Sequence, residues 1–305
     1  MLERISAKRT LAFHPNQDLE ISIAPNAGAC FGVVRAIKLG YQAANRASRD
    51  KSAVYSFGPL IHNPHVVREL KQRGVRTVES QEEVGAGTVL LRSHGVQAPI
   101  ERALRERGNA IVDATCPLVK KPQRIAQSMG EKGYFLILVG DANHPEVKGV
   151  LSYFGRPNYL VTYDPHAVES IPLDVTRVGI IAQTTIELRV LNAVVEAAQK
   201  RFQEVSVNNT ICDATSIRQT EAVQLAEQAD VLVVVGGKNS SNTCKLVKIC
   251  RELQPDTYHI EDEGELRREW FSEKKKIGVT GGASTPHEFV DLIGLKIADL
   301  LSNPD

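Results

Sequence analysis

Short β-branched runs alternate with amphipathic segments along nearly the whole chain, and this alternation limits the folds open to it. EISIA (20–24), AVYSF (53–57), TVLLR (88–92), AIVDA (110–114), YFLILVG (134–140) and NYLVTY (158–163) read as strands. So do VGIIAQ (178–183), VSVNN (205–209), DVLVVVGG (230–237), TYHIE (257–261) and KIGVTGG (276–282). Between most of them lie segments with helical periodicity, such as VVRAIKLGYQAAN, HVVRELKQRG and TEAVQLAEQA. A strand apolar on both sides has no face for solvent, so these runs predict parallel sheets covered by helices on both faces. The fold class is α/β.

At 305 residues the chain exceeds what one core normally serves, which predicts two or three domains. Hydrophobic content of 42% with 24% charged residues is ordinary globular composition. A net charge of +1, from 37 basic and 36 acidic residues, gives no field for nucleic acid or an anionic membrane. The longest apolar runs are strand length, and MLERISAKRTLAFHPNQDLE contains no apolar signal core, so a cytoplasmic location is expected. Five widely spaced cysteines do not suggest a disulfide framework.

Cys30, Cys116 and Cys212 divide the chain into stretches of similar length, and each precedes or opens a helix-like segment. The phrase Asp-Ala-Thr stands against two of them, before Cys116 and after Cys212, and reads as a repeated strand end. Downstream of each cysteine a strand runs into a polar cluster: SFGPLIHNPHVV, LVGDANHPEVKGV and VVGGKNSSNTCKL, which carry His62, His144 and Ser240. A further strand in each third ends at His94, Thr184 or Ser284, in LLRSHGV, IIAQTT and GVTGGAS. One such match is common strand–turn–helix grammar; three motifs in the same order in three stretches indicate a shared architecture. The expected division is a motif-free extension over 1–18, then α/β units over 19–116, 117–205 and 206–305. Binding groups gather beyond the carboxyl ends of parallel strands, so three such edges facing one centre bring the cysteines and polar groups together.

Three converging thiolates suit a metal. Zinc usually takes a fourth Cys or His, often from a close C-x-x-C pair, and no such pair exists here. Three isolated cysteines suit an iron–sulfur cluster with one iron open. Taken singly, each cysteine reads as a buried small hydrophobe, and Cys244 and Cys250, outside the repeated slot, are expected to be packing residues on a helix. The polar clusters resemble a phosphate cradle: a His before Pro in HNP and NHPE, hydroxyls and amides at a helix start in KNSSNT, and the same arrangement in GGAST. Each alone is equally an ordinary helix cap. Neither a P-loop nor a G-x-G-x-x-G fingerprint is present, which disfavours nucleotide binding. Glu146 is either a first-turn acid complementing the helix dipole or a proton donor beside the hydroxyls of QTT, and spacing alone does not decide between them.

The set GACFGVVRAI, IHNPHVV, RSHGV, DATCPLVKK, NHPEVKG, AQTT, ICDATSIRQ, GGKNSSNT and GGASTP resembles the 4-hydroxy-3-methylbut-2-enyl diphosphate reductase family over about residues 19–299. The resemblance implies a pseudo-threefold trefoil of α/β units around one central 4Fe–4S cluster per chain, held by Cys30, Cys116 and Cys212. It implies that His62, His94, His144, Ser240, Ser241, Asn242 and Ser284 bind an allylic diphosphate. Glu146 is implied as proton donor, assisted by Thr184, with electrons arriving from a donor such as ferredoxin or flavodoxin. Two alternatives stay open on the residues: another three-cysteine iron–sulfur enzyme of threefold plan, such as quinolinate synthase, and a non-redox zinc protein.

Overall fold

The computed structural model describes residues 9–12 and 19–302, and in it every run named above becomes a strand. Strand β1 (Arg9–Ala12) pairs antiparallel with β2 (Glu20–Ile23), and helix α1 (Phe31–Asp50) follows. The next sheet uses β3 (Val54–Phe57), α2 (Pro64–Gln72), β4 (Val75–Val78), β5 (Thr88–Leu91), α3 (Ala98–Glu106) and β6 (Ala110–Asp113), with strand order β4-β3-β5-β6. Helix α4 (Pro117–Glu131) leads into β7 (Phe135–Val139), α5 (Pro145–Phe154), β8 (Tyr159–Thr162), β9 (Arg177–Ala182), α6 (Leu188–Arg201) and β10 (Glu204–Val207), ordered β10-β9-β7-β8. Helix α7 (Asp213–Gln228) opens the last stretch, β11 (Val231–Val235), α8 (Ser241–Leu253), β12 (Thr257–Ile260), β13 (Lys276–Gly281) and α9 (His287–Ser302). Its sheet runs β1-β2-β13-β11-β12. All pairings except β1 with β2 are parallel, as expected of strands joined through helices.

The three sheets share one plan, but the third is completed from the other end of the chain. Strand β2 lies parallel to β13, with Ile21 opposite Ile277 and Ile23 opposite Val279. It occupies the place that β6 takes beside β5 and β10 takes beside β9. Residues 20–23, grouped by sequence with the stretch 19–116, therefore hydrogen-bond within the sheet of the last stretch. Two compact units result: one gathers the described residues up to 34, residues 62–65 and those from 213 onward, and the other comprises 35–61 and 66–212.

Each unit is held by its own core. Val231 to Val235 are buried at every position, between α7, α8 and α9, and pack with Leu225, Leu246, Ile293 and Ile297. Leu136, Ile137, Leu138, Ile180 and Ile181 are equally buried in the other unit. Each such side chain contributes about 1.5–3 kcal/mol on burial, so the central strands anchor the sheets. Two strands escape the sequence expectations. In β4 only Val75 and Val78 are buried while Arg76 and Thr77 are exposed, a pattern that is neither a continuous apolar run nor strict alternation. Strand β1 falls inside the stretch expected as a motif-free extension, whose other residues lie outside the described ones.

The repeated phrase is a repeat of sequence and not of structure. Asp113 ends β6, with Ala114 and Thr115 beyond it, whereas Asp213, Ala214 and Thr215 form the first turn of α7. The neighbours decide: Pro117 starts a helix after the first copy, and Asp213 itself complements the amino-terminal end of a helix. Among the described residues no helix is long and apolar enough to cross a membrane.

Candidate functional site

Cys30, Cys116 and Cys212 occupy equivalent places, each at the point where a sheet's flanking strand gives way to a helix. Their backbone amides are bound alike. Cys30 donates to the carbonyl of Ala283 at 3.1 Å, Cys116 to Ser93 at 2.9 Å and Cys212 to Thr184 at 2.9 Å. Each acceptor lies just past the neighbouring parallel strand, β13, β5 or β9. The cysteines thus pair with the polar groups Ser284, His94 and Thr184 in a different combination from the one that chain order gives. All three sulfurs are half-buried and outside any disulfide. Among the described residues, no group of three His, Cys, Asp or Glu side chains forms a set that closes on a single metal ion.

Within the unit formed by residues 35–61 and 66–212, four expected residues meet. His144 caps α5: its Nδ1 accepts from the amide of Glu146 at 3.1 Å, which places the proton of the neutral ring on Nε2. The rings of His144 and His94 stand edge to face at 5.7 Å. Glu146 is 1% exposed although it sits in a first helical turn, where acids usually face water. Thr184 donates its amide to Oε1 at 2.7 Å and its hydroxyl to Oε2 at 2.8 Å. Burial pushes the Glu146 carboxyl above its ordinary range, opposed by the two hydrogen bonds from Thr184. A carboxyl buried and partnered in this way is not a solvent-facing dipole partner.

The other unit assembles hydroxyls and an amide. Ser240 caps α8 by accepting from the amide of Thr243 at 3.4 Å. Ser284 places its Oγ 3.2 Å from Ser240 Oγ and donates to the carbonyl of His62 at 3.0 Å. Ser284 lies between β13 and α9, which begins only at His287, so it reaches across to α8 and does not cap its own helix as expected. Ser241 is the first residue of α8, and Asn242 follows it, 6% exposed, with neither its Nδ2 nor its Oδ1 hydrogen-bonded. A buried donor without a partner costs about 1–3 kcal/mol, a cost that an oxyanion accepting from Nδ2 would remove. Gly282 makes this crossing possible, because a methyl there would land on Thr243 Oγ1.

The two remaining cysteines differ from each other. Cys250 is buried, its Sγ 3.9 Å from the carbonyl of Ala222, and burial pushes its thiol up to about 12. Cys244 is exposed and donates to the carbonyl of Lys238 at 3.0 Å, so it is a surface thiol and not the packing residue expected. Sequence reasoning also missed Arg35, Arg218 and Glu221, which bind the approaches to Cys116 and Cys30. A signal existed for two of them. Arg218 and Glu221 fall in phase with the buried Ala222 and Leu225 of α7, and a charge on an apolar stripe marks a buried, partnered group.

The chain is similar to known proteins over most of its length. The model of the LytB protein family matches residues 21–298. A 4-hydroxy-3-methylbut-2-enyl diphosphate reductase of Pelobacter propionicus is 42% identical, covering 92% of this chain and 99% of that protein. One of the same description from Geobacter sulfurreducens is 44% identical, covering 90% and 95%. A solved structure of (E)-4-hydroxy-3-methyl-but-2-enyl diphosphate reductase, the terminal enzyme of the non-mevalonate pathway, is 42% identical, covers 92% of this chain and 98% of its own, and superposes with a TM-score of 0.68. The structure of the Plasmodium falciparum reductase gives a TM-score of 0.83 at 27% identity, covering 95% and 89%. A match of this extent, over residues that include all three equivalent cysteines and both polar clusters, settles the family: the chain belongs to the LytB proteins.

Proposed function

We propose that this LytB-family enzyme reductively dehydroxylates 4-hydroxy-3-methylbut-2-enyl diphosphate. The allylic C–O bond breaks, two electrons and two protons are taken up, and water leaves together with isopentenyl or dimethylallyl diphosphate. This is the last step of the non-mevalonate route to isoprenoids.

Family membership makes the chain an iron–sulfur oxidoreductase, and its donor set fits that chemistry: three half-buried thiols in equivalent backbone slots. Cys30, Cys116 and Cys212 are the proposed ligands of one 4Fe–4S cluster per chain, at the centre of a trefoil over 19–116, 117–205 and 206–305. When bound, such a cluster supplies electrons and Lewis acidity. The chain's own residues do the rest. Ser240, Ser241, Asn242, Ser284, His62, His94 and His144 are the proposed donors to the diphosphate. Glu146 holds a proton for the departing oxygen, and Thr184 keeps its carboxyl oriented. Electrons come from a small redox protein such as ferredoxin or flavodoxin, in the cytoplasm.

The observation that carries this reading is Glu146, a carboxyl buried at a helix start with its pKa raised and both oxygens bound by one threonine. Anaerobic purification tests it. About four irons and four sulfides per chain, and formation of both products from the diphosphate with a reduced donor, are expected; a colourless zinc protein would overturn the proposal.

A further inference from the structure

Helices α1 and α7 each follow a proposed cluster cysteine, and each sends an arginine to the backbone that leads into another. On α1, just past Cys30, Arg35 places Nη1 3.2 Å from the carbonyl of Thr115 and Nη2 3.2 Å from that of Asp113, the residues running into Cys116. On α7, just past Cys212, Arg218 brings Nε and Nη2 to the carbonyl of Gly28 at 3.0 and 2.7 Å, two positions before Cys30. Its third contact, Nη1 to Ala214 at 2.7 Å, ties the guanidinium to its own helix. One turn further along α7, Glu221 accepts from the amide and the side chain of Asn26 at 2.9 and 2.6 Å. The turn before Cys30 is thus gripped from a single helix by a cation and an anion. The approach to Cys212 is fastened by a neutral group: Thr210 Oγ1 bonds the carbonyl and the amide of Ala182 at 2.5 and 2.8 Å.

A guanidinium stays charged, and its planar fork holds its donors in a fixed geometry that a freely rotating ammonium lacks. Arg218 is only 5% exposed, and a charge is retained at such burial only where hydrogen bonds hold it. Groups that orient ligands from behind tune a metal centre as much as the ligands themselves.

We propose that Arg35 and Arg218 are positioning residues for the cluster thiolates, Arg35 setting Cys116 and Arg218 setting Cys30. This rests on the cluster assignment above. The Arg35 guanidinium also places a positive charge beside the ligand loop, which favours the reduced cluster.

The test compares anaerobic holoprotein of Arg35→Met, Arg35→Lys, Arg218→Met and Arg218→Lys with Arg201→Met. Arg201 equally binds two backbone carbonyls, those of Val168 and Ile171, but serves no cysteine. Iron loss to a chelator, the electron paramagnetic resonance spectrum of the reduced protein and the midpoint potential are measured. The Met variants at 35 and 218 are expected to lose iron at least tenfold faster than wild type and to show altered spectra. Arg35→Met should have a more negative potential than Arg35→Lys, and Arg201→Met should lower only the melting temperature. If Arg218→Met does not fold, Arg218→Lys and the Arg35 pair decide the matter. Variants at 35 and 218 that match Arg201→Met in release, spectrum and potential overturn the inference while leaving the enzyme assignment intact. A wild-type chain without an iron–sulfur cluster overturns the assignment itself, and the inference with it.

Discussion

Thr184 binds both oxygens of Glu146, one through its amide and one through its hydroxyl, while its carbonyl receives the amide of Cys212. One residue thereby sets the orientation of a proposed acid and of a proposed cluster ligand.

Replacing Glu146 with Gln preserves size and the bond from the Thr184 amide, but turns one acceptor into a donor and removes the acidic proton. Turnover is expected to fall at least about a hundredfold under single-turnover conditions with pre-reduced protein. Iron content and substrate binding should stay near wild type. Near-normal product formation would remove Glu146 from the acid's role.

The raised pKa of Glu146 also gives a signature in stability. A carboxyl whose folded pKa exceeds its unfolded value, about 4.3 for Glu, favours the fold most fully below that unfolded value. The contribution is lost as pH rises through the folded pKa. Melting curves across pH should therefore show Glu146→Gln gaining on wild type as pH increases. The alkaline limb of the wild-type rate profile should vanish in the variant. Parallel melting curves for the two proteins would contradict the buried-acid description.

Asn242→Ala should separate binding from stability. Losing a donor to a charged phosphate oxygen costs about 1.5–3 kcal/mol, roughly a ten- to hundredfold weaker affinity in anaerobic calorimetry. The ligand-free protein should melt no lower than wild type, because the side chain removed is buried without partners. Unchanged affinity would exclude Asn242 from the cradle.

Cysteine chemistry should divide the five thiols into three kinds. Ser at position 30, 116 or 212 should abolish cluster retention and activity, whereas Ala at 244 or 250 should preserve both. With an alkylating reagent at pH 8, Cys244 is expected to react and Cys250 to stay unmodified, its thiol being buried and pushed up to about 12. Mass spectrometry of the labelled peptides reads this directly.

Gly282→Ala should damage the hydroxyl cluster without replacing any polar side chain. The added methyl meets Thr243 Oγ1, and overpacking of this kind costs about 1–3 kcal/mol. A lower melting temperature together with weaker diphosphate binding is the expected result, and a variant unchanged in both would show that β13 and α8 can separate freely.

The sequence disclosed what is local. Val231 to Val235 announce a buried strand by composition alone, and His144 before Pro145 announces a helix start. Partnerships that cross the chain were not legible: Thr184 and Glu146 are 38 positions apart, and Arg218 and Gly28 are 190 apart. Nothing in the neighbourhood of either residue encodes the other. The contrast between Cys244 and Cys250 was legible in principle. Six residues at about 100° each turn a helix to a different face, so two cysteines with that spacing on α8 cannot both face the core.

The closure of the last sheet by β2 has a consequence for the order of events during synthesis. The amide of Cys30 finds its acceptor on Ala283, and β2 finds its neighbour in β13, so the first of the three cysteines to be made is the last to acquire its surroundings. While the chain is still emerging from the ribosome, Cys116 and Cys212 can take their places beside strands already made, but Cys30 waits for β13 and Ala283. If the three cysteines are the cluster ligands proposed above, metal loading is expected only once β13 has been made, and a product truncated before β13 would carry all three cysteines yet present only two of them correctly.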